Sequence, residues 1–292
     1  MKIRIFDPAI SMAGRNAFAA FMRGCKAAGD HDVAWTKDIE EKCDIAVHAS
    51  GVKGGRLQSG KLSQARARLI KRFGKNRVVI ESPAIRTGLV GGAVYWRLGL
   101  GGFLRDEAEY ANQNSPPDRW DIIAEEQQIV PMSFHVPLGR GHVLIMLQKT
   151  SDASLRGKCM IEWGNEMIRE VRKHVDWPIL IRPHPLETVR PPDFRGATLT
   201  HGHDDDWDHA RAVVTYTSLS AIDSMIRGLP TWTMHEGNLA WEVTNSELAA
   251  LKNPWFPERE VFDQFLYDLA YSQWKVSEIE TGEPWLRLKA KL

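Results

Sequence analysis

Residues 177–185 read WPILIRPHP, and this stretch decides the fold of the second half of the chain. Its apolar run at 178–181 is typical of a strand buried on both faces, as in a parallel sheet. The run ends in Arg182 and His184, and ligands of open α/β sheets bind at the carboxyl ends of strands. The stretch therefore predicts a parallel sheet with a site at its edge, although such a turn also occurs as a plain surface loop.

Strand and helix patterns alternate on both sides of this stretch. Apolar runs predict strands at 2–6, 32–36, 44–49, 77–81, 142–147, 178–181, 197–200, 212–216 and 231–234. Helical spacing of apolar residues predicts helices at about 15–28, 63–73, 159–174 and 218–227. Alternating strands and helices form parallel βαβ units, so the predicted fold class is α/β, with two Rossmann-like domains and a helical C-terminal tail.

The pattern also suggests where the domains divide. Residues 82–135 hold many glycines, prolines and aromatics without a regular pattern, which is typical of a binding loop or lid. The alternation restarts at 142. We therefore predict an N-terminal domain at 1–135, a second domain at 136–257 and a helical tail at 258–292, and we hypothesise that the tail packs back on the first domain.

Composition excludes several protein classes. Lys and Arg number 38 against 37 Asp and Glu, so overall charge does not predict nucleic-acid binding. A basic cluster at 66–77 has two interpretations, a solvated helix face or a local patch.

Three cysteines without a CxxC pair indicate a reducing compartment. With no signal-peptide core or apolar run long enough for a membrane span, the predicted location is cytoplasmic, in a host cell if the source is viral.

A second motif follows the strand at 212–216. Residues 213–223 read VVTYTSLSAID, a strand followed by a hydroxyl-rich turn and a helix start. Thr217, Ser218 and Ser220 lie where unpaired backbone N–H groups favour an anion, although simple N-capping by Ser218 is the alternative. Lys149, after the strand at 142–147, is a further candidate for a diphosphate contact, and a plain polar loop is equally compatible.

These two motifs resemble a known family. An R-x-H-P turn, then a strand and an [ST]-S-x-x-x-x-[DE] helix start, resembles the donor domain of capsule-polysaccharide and Kdo-type glycosyltransferases of the GT-B type. It also resembles bacteriophage glycosyltransferases, some of which modify hydroxymethylated pyrimidines in DNA. The resemblance is strongest over 142–236. It implies that His184 and Ser218 contact the phosphates of a nucleotide-sugar and that Asp223 holds a ribose, where the capsule enzymes usually carry Glu.

The resemblance also implies a mechanism. GT-B enzymes bind the donor on the second domain and the acceptor on the first, and they often need no metal. We expect Arg182, His184 and the turn at 217–220 to stabilise the leaving phosphate. No DxD follows a strand, and the acidic run at 204–206, beside His201 and His203, is interpreted as a helix start.

An inverting reaction would also need a base for the acceptor hydroxyl. Candidates at strand ends of the first domain are Glu81 and Asp7, ranked above His48.

The acceptor stays open. One hypothesis is a 5-hydroxymethylpyrimidine in phage DNA, flipped out of the duplex, with Tyr95, Trp96 and Phe103 filling the gap. The alternative within the enzyme class is a saccharide or lipid-linked acceptor. Outside that class stand a non-catalytic nucleotide-binding protein and a sugar-nucleotide epimerase.

Overall fold

The computed structural model describes residues 1–10, 14–51, 60–85, 94–139, 141–187, 194–200, 202 and 204–292. The chain forms two compact units. Unit 1 comprises Met1–Ile123 and Gln264–Leu292, and unit 2 comprises Ala124–Asp263. The contacts thus divide the chain after Ile123 and Asp263, where the sequence suggested boundaries after residues 135 and 257. Within the described residues, no helix is long and apolar enough to cross a membrane.

Unit 1 is built on a six-stranded sheet. Its strands are β1 (Ile3–Phe6), β2 (Val33–Thr36), β3 (Ile45–Ala49), β4 (Arg77–Glu81), β5 (Tyr95–Leu100) and β11 (Gln273–Lys275). They lie in the order β11-β5-β4-β3-β1-β2, and β1 to β4 are parallel. The last two strands are antiparallel, β5 to β4 and β11 to β5. The first four strands follow the predicted alternation, whereas β5 falls in the stretch predicted to be irregular.

Helices cover both faces of this sheet. One face packs against α1 (Arg15–Ala27), α8 (Val276–Thr281) and α9 (Glu283–Lys289) in a core that includes Phe18 and Trp285. The other face packs against α2 (Lys61–Phe73). Asp30 accepts hydrogen bonds from Trp285 Nε1 at 2.7 Å and Lys289 Nζ at 2.8 Å. The last helices therefore belong to the core of unit 1 through apolar and polar contacts alike.

Unit 2 is built on a five-stranded parallel sheet. Its strands are β6 (His142–Met146), β7 (Ile179–Arg182), β8 (Thr198–Leu199), β9 (Ala210–Thr215) and β10 (Thr231–Thr233). Their order is β10-β9-β6-β7-β8, so β6 lies at the centre with β7 and β9 on either side. The apolar runs predicted as buried strands occupy these central positions, as expected for parallel strands covered on both faces.

The helices of unit 2 pack its strands into two apolar layers. One layer includes Trp163 and Met167 of α4 (Met160–Arg172) against Val143 and Ile181. The other places Trp207 of α5 (Asp205–Asp208) against Leu144 and Val213. The seven-residue helix α6 (Ser220–Ile226) follows β9. Two helices lie where the contacts divide the chain, α3 (Asp118–Glu126) and α7 (Arg259–Ala270).

Candidate functional site

The carboxyl ends of three neighbouring strands of unit 2 lie level with one another. Met146 at the end of β6 pairs with Arg182 on one side and with Thr215 on the other. Adjacent strands lie about 4.8 Å apart, which puts the ends of β7 and β9 about 10 Å apart. The turns after Arg182 and Thr215, which carry both sequence motifs, therefore leave the same edge of one sheet.

A buried glutamine joins the central turn to the hydroxyl-rich turn. Gln148 follows β6, and its Oε1 accepts hydrogen bonds from the Thr217 backbone N–H at 2.9 Å and the Thr217 hydroxyl at 3.1 Å. Its Nε2 donates to Ser154 Oγ at 2.7 Å. The Thr217 hydroxyl also lies 3.2 Å from the Ser154 carbonyl oxygen. Thr217 is thus enclosed by protein partners, and it shapes the turn instead of presenting its hydroxyl to a ligand.

A second link joins the central turn to the turn after β7. The Thr150 backbone N–H and hydroxyl both donate to Glu187 Oε2, each at 2.7 Å. Asp152 then accepts from the Ser154 backbone N–H at 2.9 Å, which closes the central turn. The central turn is therefore hydrogen-bonded to the turns on both sides of it. We call these three segments, residues 148–152, 183–187 and 216–220, the unit 2 rim.

His184 has a defined donor direction in this rim. Its Nδ1 accepts the backbone N–H of Leu186 at 3.0 Å, and its carbonyl oxygen accepts the N–H of Glu187 at 2.8 Å. A ring nitrogen that accepts carries no proton, so the neutral ring bears its proton on Nε2. The imidazole is half-buried, and its Nε2–H is a suitable donor for an anionic oxygen.

Arg182, which the sequence predicts to stabilise the leaving phosphate, is hydrogen-bonded to protein groups of unit 2. Its Nη2 donates to the Gly202 carbonyl oxygen at 3.1 Å, and its Nη1 lies 3.8 Å from Asp206 Oδ2. The guanidinium also stacks 5.5 Å from the centre of the Trp207 ring, and its side chain is only 13% exposed. These contacts hold the Arg182 guanidinium within unit 2, and its contact with a leaving phosphate stays a prediction.

The remaining predicted donor residues lie along the rim. Ser218 Oγ accepts from the Ser220 backbone N–H at 3.2 Å and from the Ser220 hydroxyl at 2.9 Å, which closes the turn just before α6, whose N-cap is Leu219. Both side chains are half-buried, as are Lys149 in the central turn and Asp223 on α6. All four lie on the segments that follow β6 and β9, at one edge of the sheet.

The acidic run takes part in packing. Asp206 accepts from the Thr200 hydroxyl at 2.7 Å, and its carbonyl oxygen lies 2.8 Å from His142 Nε2. The run forms α5, as a helix start was predicted to do, while His201 and His203 lie outside the described residues. Across the residues that the structure does describe, no group of three or more His, Cys, Asp or Glu side chains is placed to hold a metal.

The candidate bases of unit 1 are both engaged. Glu81, the last residue of β4, accepts from the Ser50 hydroxyl and, at 2.8 Å, from the Ser82 backbone N–H. Ser50 has a positive φ of 45°, a strained conformation for a residue other than glycine. Asp7, directly after β1, pairs with Arg15 Nη1 at 2.6 Å. Both carboxylates lie at the carboxyl ends of parallel strands in the unit 1 sheet.

His48 is a core residue. It is fully buried, and burial, helped by the charge of Arg77, lowers its pKa to about 3. Its Nδ1 lies 3.2 Å from the Ala49 carbonyl oxygen. The ring is thus neutral near pH 7 and closed to solvent, which agrees with its rank below the two carboxylates.

Two features that the DNA-acceptor hypothesis uses, the basic cluster and the aromatic residues, include side chains that pack inside unit 1. In the basic cluster, Arg66 and Arg77 are buried, and Arg72 donates to the carbonyl oxygens of residues 39–41. The aromatics proposed to replace a flipped base also pack inside unit 1, since Tyr95 and Phe103 are buried. Trp96 packs against the core, opposite Trp274 in the β5–β11 pair. Tyr95 and Phe103 thus belong to the core, whereas Arg68, Lys71 and Lys75 of the basic cluster are exposed, and a DNA acceptor stays a hypothesis.

Sequence reasoning missed several residues that build the rim. Gln148 and Ser154 read as polar loop residues, and only their burial reveals their role. Asn238, also buried, donates to the carbonyl oxygens of Tyr216 at 3.3 Å and Ser218 at 3.1 Å. A polar residue just after a buried strand is the one signal that pointed to Gln148.

Comparisons with known proteins agree on the fold. No protein-family model and no curated protein matches the chain. A KpsC β-Kdo 2,4 transferase of Thermosulfurimonas dismutans is similar at 14% identity and a TM-score of 0.55, over 93% of this chain and 90% of that one. A KpsC β-Kdo 2,7 transferase of the same organism is similar at 14% identity and a TM-score of 0.54, over the full length of both chains. The chain therefore has an α/β fold of the GT-B type, like these two structures.

Proposed function

We propose that the chain is a glycosyltransferase that moves a sugar from a nucleotide-sugar to a hydroxyl acceptor. The observation that carries the proposal is the unit 2 rim, in which three turns leave level strand ends and are hydrogen-bonded to one another. The hydrogen-bond donors of the rim suit an anionic phosphate better than a neutral ligand. The rim includes the positively charged Lys149, and the proton on His184 Nε2 is of the kind that donates to a phosphate oxygen.

The predicted donor-binding residues of the unit 2 rim, with Arg182 and Asp223 beside it, each have a role in this proposal. His184 donates to a phosphate oxygen of the leaving nucleotide and stabilises the charge that develops on it. Ser218 and Ser220 supply hydroxyls, Lys149 adds a positive charge, and Asp223 accepts from a ribose hydroxyl. Thr217 and Arg182 act indirectly, by fixing the turn and by adding positive charge beneath it.

Unit 1 receives the acceptor in this proposal, and Glu81 or Asp7 takes the proton from its hydroxyl. A carboxylate that accepts from neutral donors, as Glu81 does from Ser50 and Ser82, keeps lone pairs for a further hydroxyl. We take a saccharide as the acceptor, which is supported by the two similar structures being named as transferases of the sugar Kdo. A hydroxymethylpyrimidine in DNA is the competing acceptor.

The test is a transfer assay with a panel of sugar nucleotides against three acceptors: an oligosaccharide pool, hydroxymethylated DNA and unmodified DNA. We expect nucleotide release that depends on the saccharide, and a loss of about 100-fold in turnover for His184→Ala, the size of one transition-state donor. Release that depends on hydroxymethylated DNA would redirect the acceptor assignment. Nucleotide binding without any turnover would instead favour a non-catalytic binding protein.

The matched control is His135→Ala, which removes an exposed imidazole from unit 2 outside the rim. Its turnover should equal that of the wild type. Equal turnover in His184→Ala would contradict the proposed role of the rim.

A further inference from the structure

The face of the unit 1 sheet toward α2 buries an unusual amount of positive charge. Arg77, Glu81 and Arg97 lie on this face because residues alternate along β4 and β5, and Glu81 pairs directly with Arg97. Arg66 reaches the same region from α2, since its Nη1 lies 3.5 Å from the Gly51 carbonyl oxygen. The exposed fractions of the three arginines are 2% for Arg66, 6% for Arg77 and 4% for Arg97.

Two of these arginines have protein partners. Arg66 Nε donates to the Ala9 carbonyl oxygen at 3.0 Å. Arg77 Nε donates to the Gly74 carbonyl oxygen at 2.7 Å, and its Nη2 lies 4.0 Å from Glu107. Their positions are thus explained by the folded chain alone.

Arg97 is different. Its Nε and Nη1 are buried, and neither has a hydrogen-bond partner among the residues that the structure describes. The guanidinium carbon lies 5.9 Å from the centre of the Tyr110 ring. The Tyr110 hydroxyl donates to the Phe103 carbonyl oxygen at 2.7 Å, which fixes the ring beside the guanidinium.

A buried guanidinium with unmet donors is costly for a folded protein. Native structures pair nearly all such groups with protein, ordered water or a bound ion, so Arg97 Nε and Nη1 call for a partner beyond the described protein atoms. Among the described residues named here, Arg77 has Glu107 nearby, whereas Arg66 and Arg97 share Glu81, so the positive charges exceed the negative charges by one. A neutral partner such as water would satisfy donors without balancing that charge.

We propose that Arg97 forms a subsite in unit 1 that binds an anionic group of the acceptor, either a carboxylate or a phosphate. The inference rests on the proposed function, because it treats unit 1 as the acceptor unit. A guanidinium suits both groups through its planar fork of donors. Directly paired residues place their Cβ atoms about 5 Å apart, so an anion held by Arg97 lies beside Glu81 and the acceptor hydroxyls near it come within reach of that carboxylate.

The experiment compares glucuronate, glucose 6-phosphate and glucose as probes, titrated into the full chain by calorimetry with saturating nucleotide to occupy unit 2. We expect at least one anionic sugar to bind ten times more tightly than glucose. Preference for glucuronate assigns a carboxylated acceptor, and preference for the phosphate assigns a phosphorylated one. Arg97→Met should abolish the preference, while Arg68→Met, which removes an exposed charge from the same unit, should keep it.

Equal binding of all three sugars to the wild type, or an unchanged preference in Arg97→Met, would overturn the subsite. If Arg97→Met does not fold, Arg97→Lys keeps the charge without the fork and should weaken the preference at least threefold. Nucleotide binding in the same samples separates the two proposals. A chain that binds nucleotide but ignores the anionic group contradicts only the subsite, whereas a chain that binds no nucleotide contradicts the transferase.

Discussion

The two units present contrasting strand-end edges. In unit 2, the turns after three level strands are connected by hydrogen bonds, neutral ones through Gln148 and Ser154 and charged ones from Thr150 to the Glu187 carboxylate. In unit 1, Glu81 at the carboxyl end of β4 pairs with the buried Arg97 of β5, whose Nε and Nη1 have no hydrogen-bond partner within the described chain. The difference shows that two α/β sheets of one chain arrange their polar side chains in two ways, one by hydrogen-bonding the turns to each other and one by burying a guanidinium within the sheet.

The largest expected effect comes from removing the glutamine at the centre of the unit 2 rim. Gln148→Leu leaves the buried Thr217 N–H and the Ser154 hydroxyl without that partner, and each such loss costs about 1–3 kcal/mol. We expect the free energy of unfolding to fall by about 3 kcal/mol and nucleotide affinity to fall at least tenfold. Urea unfolding and calorimetric titration measure the two effects.

Unit 1 offers the matched control. Gln273 is equally buried, and its Oε1 accepts from the N–H groups of Ala84 at 2.8 Å and Ile85 at 2.9 Å. Gln273→Leu should lose a similar free energy of unfolding and keep the nucleotide affinity of the wild type. If Gln148→Leu is destabilised but its nucleotide affinity stays within threefold of the wild type, the proposed difference between the two glutamines is contradicted.

A smaller effect concerns the free energy of unfolding at acid pH, to which the buried His48 of unit 1 contributes. Its folded pKa of about 3 lies below the ordinary value of 6.5, so the unfolded chain takes up a proton first. The stability contributed by the neutral ring is therefore complete above pH 6.5 and is lost as the pH falls toward 3. These two pKa values correspond to a loss of about 2 kcal/mol at pH 5.

The measurement is the free energy of unfolding at pH 7 and pH 5 for the wild type, His48→Leu and His31→Leu. His48→Leu should show a loss between the two pH values that is smaller by about 2 kcal/mol, whereas His31→Leu, which removes an exposed ring, should follow the wild type. If the free energy of unfolding of His48→Leu falls between pH 7 and pH 5 by as much as that of the wild type, the neutral His48 ring does not contribute to the pH dependence of stability.

Much of the fold could be predicted from apolar patterns, because parallel strands buried on both faces form uninterrupted apolar runs such as 178–181. Two strands escaped prediction for physical reasons. In β5, the run YWRLGL contains a buried arginine and a glycine, and in β11 only three residues, QWK, form the strand. Gly99 is required in β5 because a Cβ there would clash with the Gly102 carbonyl oxygen and press on the Tyr110 ring.

The candidate site could be predicted at the level of segments but not of side chains. The motifs at 182–185 and 217–223 indicate an edge of the sheet, and the level strand ends place them together. The direction of the Arg182 guanidinium toward Trp207 and Asp206 depends on residues about 25 positions away, and so does not follow from local sequence. The burial of Thr217 by Gln148 is likewise a tertiary contact.

The claim that the unit 2 rim binds the phosphate of a nucleotide is tested most directly by NMR titration of the full chain with the tightest binder from a panel of nucleoside mono- and diphosphates. We predict that the largest shifts fall on the His184 ring nitrogens and on the backbone amides of 149–150 and 218–220. Shifts concentrated in unit 1, or saturable binding that leaves the His184 ring unchanged, would contradict the account.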